Sequence, residues 1–368
     1  MRQRHILAAV LLLSLTVQAV AKKGLKDVLG RYFDVSVAVN TDQVNGQNPA
    51  AAKVICQHFN NVVAENCMKA EEIQPHEGQF YWNDADAFVS FAERNGMTIH
   101  GHCLVWHSQM PQWMKEGKGG KKPTREEMIN RMRNHIYAVV GRYKGRIKSW
   151  DVVNEALEDD GRMRQTPWFE AIGPEYIVLA FKFAHEADPD AELYYNDYSM
   201  FKPGRRNSVC NLVRLLRDRG CRIDGVGMQS HNGLDWPETE ELEASIKAFI
   251  GVGMKVSITE LDLNMLPAPE NFGGASVEQN FEYNKALNPY TNGVPKDVQR
   301  LMDERWTEFF RIYNKYRDNI VRVCLWGVGD GDSWHNDWPV KGRTAYPLLF
   351  DRRYKAKPVV KKIMKMFK

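Results

Sequence analysis

Two glutamates close apolar runs: Glu155 ends WDVVNE and Glu260 ends KVSITE. A pair of carboxyl groups facing each other across a cleft can break a glycosidic bond. One, protonated, assists the leaving oxygen, and the other, ionised, attacks or activates water. Either acid alone reads equally well as a solvated strand-end residue; their company points to chemistry. Asn154 precedes Glu155, Asp262 follows Glu260, and Gln229 and His231 close a third run, GVGMQSH. Another run ends in Glu65 and Asn66 with Lys69 just beyond, another carries His100 and His102 and is followed by Trp106 and His107, and another ends in Asn196 and Asp197. Amides, imidazoles and ammonium groups hydrogen-bond sugar hydroxyls, while indoles cover the apolar C–H faces of a sugar ring. Trp82, Trp106, Trp326 and Trp334 all fall at or just beyond run ends or in loops, which predicts a stacking groove.

Other chemistries have weaker support. His100-x-His102 is a spacing used by metal-dependent barrel hydrolases, with His107 and His231 as possible further ligands. Two inward histidines of a sugar site give the same pattern, since i and i+2 share a strand face. No metal and no cofactor is expected. There is no G-x-S-x-G elbow and no P-loop.

The elements that must carry these residues alternate. Apolar runs rich in Val, Ile and aromatics lie at 33–39, 61–67, 97–105, 147–153, 191–197, 223–230, 255–263 and 320–327. Helix-like stretches lie near 50–59, 84–94, 124–143, 174–187, 205–219, 238–250, 297–317 and 355–367. Thr124 before Glu126 and Glu127 reads as a helix start, and Gly220 as a helix stop. Eight such units predict an α/β fold, a single (β/α)8 TIM barrel, with the site at the C-terminal ends of its strands. An open doubly wound sheet is the runner-up, but no G-x-G-x-x-G follows the first run. In a ring of eight, the fourth and seventh strands are expected on opposite sides, so Glu155 and Glu260 would face each other across the mouth. Adjacent Asn154 and Glu155 would point to opposite faces of a regular strand; both can serve only if the strand ends or bulges there. The irregular stretch 264–296 is long enough to shape the cleft.

The chain has 368 residues, a net charge of +4 and 26% charged residues, which argues against disorder and against a nucleic-acid partner. MRQRH, the apolar ILAAVLLLSLTV and the small-residue end QAVA predict a signal peptide over residues 1–21, leaving a catalytic domain over 22–368. The apolar run is too short for a membrane anchor. Removing residues 1–21 takes away Arg2 and Arg4 and no acid, leaving 48 basic against 46 acidic residues, a net of +2. Export permits disulfides, but few or none are expected. Cys67, Cys103 and Cys324 sit in strand-like runs, and Cys210 and Cys221 flank a helix.

Seven strings in order, ENCMK (65–69), HGHCLVWH (100–107), WDVVNEA (150–156), YYNDY (194–198), GVGMQSH (225–231), ITELD (258–262) and LWGVGDGDSW (325–334), resemble glycoside hydrolase family 10, the endo-β-1,4-xylanases. They span nearly all of the chain after residue 21. The resemblance implies a retaining double displacement with Glu155 as general acid/base and Glu260 as nucleophile. Asn154 would donate to the sugar 2-hydroxyl, His231 would hold Glu260 ionised, and Asp262 would orient His231. Glu65, Asn66, Lys69, His102, Trp106 and Gln229 would bind xylosyl units on the glycone side. Trp326 and Trp334 would exclude a hydroxymethyl group at C5. The implied partners are xylan and xylo-oligosaccharides, met by an exported monomer, secreted or periplasmic. The rivals are another retaining barrel glycosidase, such as a cellulase or mannanase, and a non-catalytic sugar-binding barrel.

Overall fold

The computed structural model describes residues 23–270, 272 and 279–368. The expected signal peptide and residues 271 and 273–278 of the 264–296 stretch lie outside the described residues. Among the described residues there are nine strands: β1 (Asp34–Val39), β2 (Asn61–Ala64), β3 (Thr98–Gly101), β4 (Ser149–Asn154), β5 (Glu192–Asp197), β6 (Gly225–Met228), β7 (His231–Gly233), β8 (Lys255–Asn264) and β9 (Ile320–Leu325). Eight of them close a parallel ring in the order β1-β2-β3-β4-β5-β6-β8-β9, sealed by the β6–β8 and β1–β9 pairs. Both faces of each barrel strand are covered, which is why the strands read as unbroken apolar runs; all four residues of β2 and all six of β4 are buried.

Long helices return the chain between strands: α1 (Pro49–His58), α2 (Asn83–Arg94), α3 (Arg125–Arg142), α4 (Glu175–Ala187), α5 (Pro203–Asp218), α6 (Thr239–Gly251), α7 (Lys296–Lys315) and α8 (Pro358–Met366). They match the helix-like stretches of the sequence to within a few residues. Thr124 opens α3 with a reciprocal cap, its hydroxyl accepting from Glu127 N at 3.2 Å and its N–H donating to Glu127 Oε2 at 2.8 Å. Beyond α5, Gly220 takes φ +70°, where a side chain would be strained. The face of α7 that meets the barrel carries Met302, Trp306, Phe309, Phe310 and Tyr313 at helical spacing. Among the described residues, no helix is long and apolar enough to cross a membrane.

The structure departs from the sequence reading in three places. First, β4 and β8, which carry the two glutamates, are not diametrically opposed. They stand three steps apart round the ring with β5 and β6 between them. Second, β7 adds a three-residue strand outside the ring, pairing His231, Asn232 and Gly233 with Asp262, Leu263 and Asn264 on the overhang of β8. Three residues are too few for a periodic signal. Third, Cys67 and Cys103 lie just past the ends of β2 and β3, and Cys210 lies inside α5 rather than beside it. All six cysteines are free thiols. Burial pushes the Cys324 thiol up to about 12.

Candidate active site

Glu155 owes its position to the end of β4. Pairing with β5 slips register between Asp151 and Val153, the strand stops at Asn154, and Glu155 itself takes φ +59°. That left-handed conformation is rare for a residue with a side chain and persists only where neighbours enforce it. Glu155 N donates to Asn196 O at 2.9 Å. Ala156 N donates to Tyr195 Oη at 3.1 Å, and Tyr195 donates in turn to Asp197 Oδ2 at 2.6 Å. The break in the strand lets Asn154 and Glu155 turn toward the same space despite being adjacent. Asn154 Nδ2 and Gln229 Nε2 reach Glu155 Oε1 at 3.2 and 2.9 Å, and Trp106 Nε1 donates to Oε2 at 3.0 Å.

Glu260 sits inside β8, where the pairing with β9 slips register between Ile258 and Leu261. Asn196 Nδ2 donates to its Oε1 at 2.8 Å, and His231 Nε2 lies 3.2 Å from its Oε2. On the other side of the imidazole, His231 Nδ1 meets Asp262 Oδ2 at 2.9 Å. The same Asp262 oxygen accepts from Trp334 Nε1 at 2.8 Å and lies 3.2 Å from His335 Nε2. Burial works against charge on His231, but Asp262 and Glu260 outweigh it and push its pKa up to about 10. His231 is therefore an imidazolium at neutral pH, able to donate from both nitrogens. Burial alone would raise the Asp262 carboxyl; His231 and His335 hold it well below the usual carboxylate range.

The two intervening strands supply the link between the acids. Asn196, at the end of β5, donates through Nδ2 to Asn154 Oδ1 at 3.0 Å as well as to Glu260, and its own Oδ1 accepts from Thr259 Oγ1 at 2.7 Å. Gln229, just past β6, reaches Asn154 Oδ1 at 3.3 Å as well as Glu155. One amide network thus spans both carboxylates. Gly227 leaves room for it, since a Cβ there would stand 2.4 Å from Asn196 Oδ1.

A cavity of about 430 Å³ opens over this network. Glu65, Asn66, Lys69, His102, Trp106, Asn154, Glu155, Gln229, His231, Glu260, Trp326 and Trp334 all line it. Asp262, the remaining candidate, is fully buried behind His231. Lys69 Nζ donates to Asn66 Oδ1 at 2.9 Å and Gln109 Oε1 at 2.7 Å and lies 5.1 Å from the Trp106 ring centroid. Burial lowers the Lys69 ammonium's affinity for its proton against the pull of Glu65, Glu260 and Glu155. It raises the Glu65 carboxyl, with Lys69 opposing. Trp326 stands edge-on to His102 at 5.4 Å, and Trp334 stacks on Trp338 at 4.5 Å and 13°.

Trp82 does not belong to the groove. It stacks on Phe80 at 4.8 Å and 3°, under the Arg142 guanidinium at 4.6 Å, at the foot of α2. Position on a loop does not distinguish a helix-anchoring indole from a cleft one. His100-x-His102 is also not a ligand pair. Both histidines hold Asp151 of β4, His100 Nε2 to Oδ1 at 3.0 Å and His102 Nδ1 to Oδ2 at 2.9 Å. Among the described residues, no group of three or more His, Cys, Asp or Glu side chains could hold a metal ion. Several lining residues were not singled out from the sequence: Gln109, Tyr198, Trp236, Phe272, Trp338 and Arg343. They sit on loops, where no periodicity marks them. Gln109, Ser199 and Ser230 share with Glu155 a positive φ near the cavity.

A closed parallel barrel with a paired-carboxylate cleft at the strand ends, walled by indoles, defines a glycoside hydrolase. Residues 24–366 match the model of glycosyl hydrolase family 10, and the chain belongs to that family. Its relatives include an endo-1,4-beta-xylanase A of Xylanibacter ruminicola, 58% identical over 97% of this chain and 97% of the relative. A beta-1,4-xylanase of Dictyoglomus thermophilum is 38% identical over 93% of this chain and 90% of the relative. Among solved structures, a GH10 endoxylanase from a sugarcane soil metagenome superposes with a TM-score of 0.89 at 42% identity, covering 93% of this chain and all of that one.

Proposed function

We propose that this glycoside hydrolase is an endo-1,4-β-xylanase that cuts internal bonds of xylan by retaining double displacement. Glu260 attacks the anomeric carbon while Glu155 passes its proton to the leaving oxygen. Water then hydrolyses the glycosyl-enzyme, with Glu155 taking the proton back. The observation that carries the division of roles is the difference in partners. His231, charged and backed by Asp262, touches Glu260 alone of the two acids. Among the described residues, the side chain of Glu155 is met by the neutral donors Asn154, Gln229 and Trp106. A cation beside the nucleophile stabilises the charge it needs to attack; neutral donors leave the other acid free to gain and lose a proton.

Asn154 is the donor to the sugar 2-hydroxyl. Glu65, Asn66, Lys69, His102, Trp106 and Gln229 take the glycone xylosyl units. Trp326 and Trp334 wall off the hydroxymethyl group that glucose would bring. Initial rates on xylan and on carboxymethyl cellulose test the substrate, with activity on xylan alone expected. Glu260→Ala should abolish hydrolysis yet still bind xylo-oligosaccharides; a protein that turns over neither polymer would be a binding barrel instead.

The reading extends to the chain's surroundings. Residues 1–21 are a cleavable leader, and the domain from residue 22 acts outside the cytoplasm as a monomer without a cofactor. The N-terminus of protein recovered from medium or periplasm should be Lys22, and light scattering should give the mass of one chain.

A further inference from the structure

Asn196 of β5 turns to the amide network between the two acids, so its neighbours Tyr195 and Asp197 share the opposite face of the strand. Both are 0% exposed, and neither lines the cavity. Packing alone would be served there by two apolar side chains. Instead burial pushes the Asp197 carboxyl up to about 7, against the pull of Arg205. A buried carboxyl and phenol are costly unless their hydrogen bonds are used, and here every one leads to the backbone around Glu155.

The N–H of Ala156 belongs to the peptide that follows Glu155, and its direction is set by the ψ of Glu155. It donates to Tyr195 Oη at 3.1 Å. The phenol gives its own proton to Asp197 Oδ2 at 2.6 Å, which leaves its lone pairs for Ala156. Asp197 Oδ1 accepts from Tyr198 N at 2.9 Å and lies 3.4 Å from Arg205 Nη1. Arg205, on α5 and also 0% exposed, donates to Tyr198 O at 2.6 Å, Leu157 O at 2.9 Å and Glu158 O at 3.3 Å. The backbone is thus fastened on both sides of the peptide that follows Glu155. Take away the phenol oxygen and a buried N–H loses its acceptor; turning that peptide to find another swings Glu155 out of its left-handed conformation.

We propose that Tyr195, anchored by Asp197 and Arg205, is a positioning residue for proton transfer: it holds Glu155 in the backbone conformation from which the acid serves both steps of the reaction. This rests on the role given to Glu155 above. Tyr195 touches no substrate and acts only through the peptide it orients.

Tyr195→Phe removes one oxygen and keeps the ring. Its kcat/KM on xylotetraose should fall about ten- to a hundredfold, as for a displaced general acid. Its kcat/KM on dinitrophenyl xylobioside, whose leaving group needs no proton, should stay near the wild-type value. On that substrate kcat should fall, because water still needs a base, and sodium azide should restore it. Azide attacks the anomeric carbon of the glycosyl-enzyme and forms a C–N bond, while the ester oxygen of Glu260 leaves with the bonding electrons. No proton moves, so Glu155 is not needed. Asp197→Leu, which takes away the phenol's anchor instead, should repeat the pattern. Wild-type rates of Tyr195→Phe on xylotetraose would overturn the proposal. So would equal losses on the two substrates with no response to azide, which would make the cluster part of the fold only. Failure of the wild-type protein to cut xylotetraose would instead overturn the xylanase reading, and a Glu155→Ala protein that azide does not speed up would overturn the role of Glu155.

Discussion

The ends of β4 and β8 hold the two acids in contrasting ways. Glu155 sits where its strand breaks off, in a left-handed backbone conformation, ringed by two amides and an indole. Glu260 sits within its strand, which runs on past it to Asn264, against a partly buried imidazolium that is itself paired to Asp262. A group that must change protonation twice per cycle is placed among donors of no net charge. A group that must stay ionised until it attacks is placed beside a cation. The environment, more than the residue type, assigns the roles.

The largest expected effect breaks the comparison outright. Glu260→Ala should lower kcat by on the order of 10⁴-fold or more on every substrate, since no attacking group remains. Glu155→Ala should cost on the order of 10²–10⁴-fold on xylo-oligosaccharides and much less on an aryl xyloside whose leaving group needs no proton. Rates on both substrate types check this; equal losses on the two would remove Glu155 from the acid role.

His231→Gln sharpens the charged side. Loss of the cation should cost about ten- to a hundredfold in kcat, the worth of a charge-assisted hydrogen bond at a reacting group. The sign of the pH effect follows from a folded-state pKa near 10 against an unfolded value near 6.5. The stabilisation from His231 is complete below about pH 6.5 and is lost as pH rises through about 10. Urea melts at pH 8 and pH 10.5 should show the wild-type protein weakening over this window and the variant lacking that component.

Gly227→Ala probes the amide bridge between the two sides. Its new methyl would press on Asn196 Oδ1 and Thr259 Cγ2, 2.4 and 2.9 Å away. A loss of about tenfold in kcat with little change in KM is expected, as for misplacement of a positioning group. The smallest effect on activity should come from Trp82→Ala. It should lower stability by about 3 kcal/mol through the lost Phe80 stack and leave KM unchanged. A raised KM would return Trp82 to the groove.

The barrel was legible because each strand is buried on both faces and each helix carries one apolar stripe, two periods that survive in the sequence. The paired acids were legible because Glu155 and Glu260 terminate or interrupt such runs with charge. What the sequence did not reveal lies between elements. The ring separation of β4 and β8 depends on closure, and it decides that Asn196 and Gln229, not empty space, lie between the glutamates. The Asn154–Glu155 alternation conflict could be stated beforehand, but only the register slip resolves it. Trp338, Trp236 and Arg343 stand on loops, where neighbours in space are unrelated to neighbours in sequence. Trp82, also outside the periodic elements, cannot be told from a cleft indole by sequence for the same reason.

The central claim is that the acid beside His231 forms a covalent bond to the sugar. Proton NMR of the first minute of xylo-oligosaccharide hydrolysis tests it most directly. The β-anomer should appear first and mutarotate to the equilibrium mixture, the mark of two successive inversions. An α-anomer formed first would mean a single displacement by water and would contradict the roles assigned to Glu155 and Glu260.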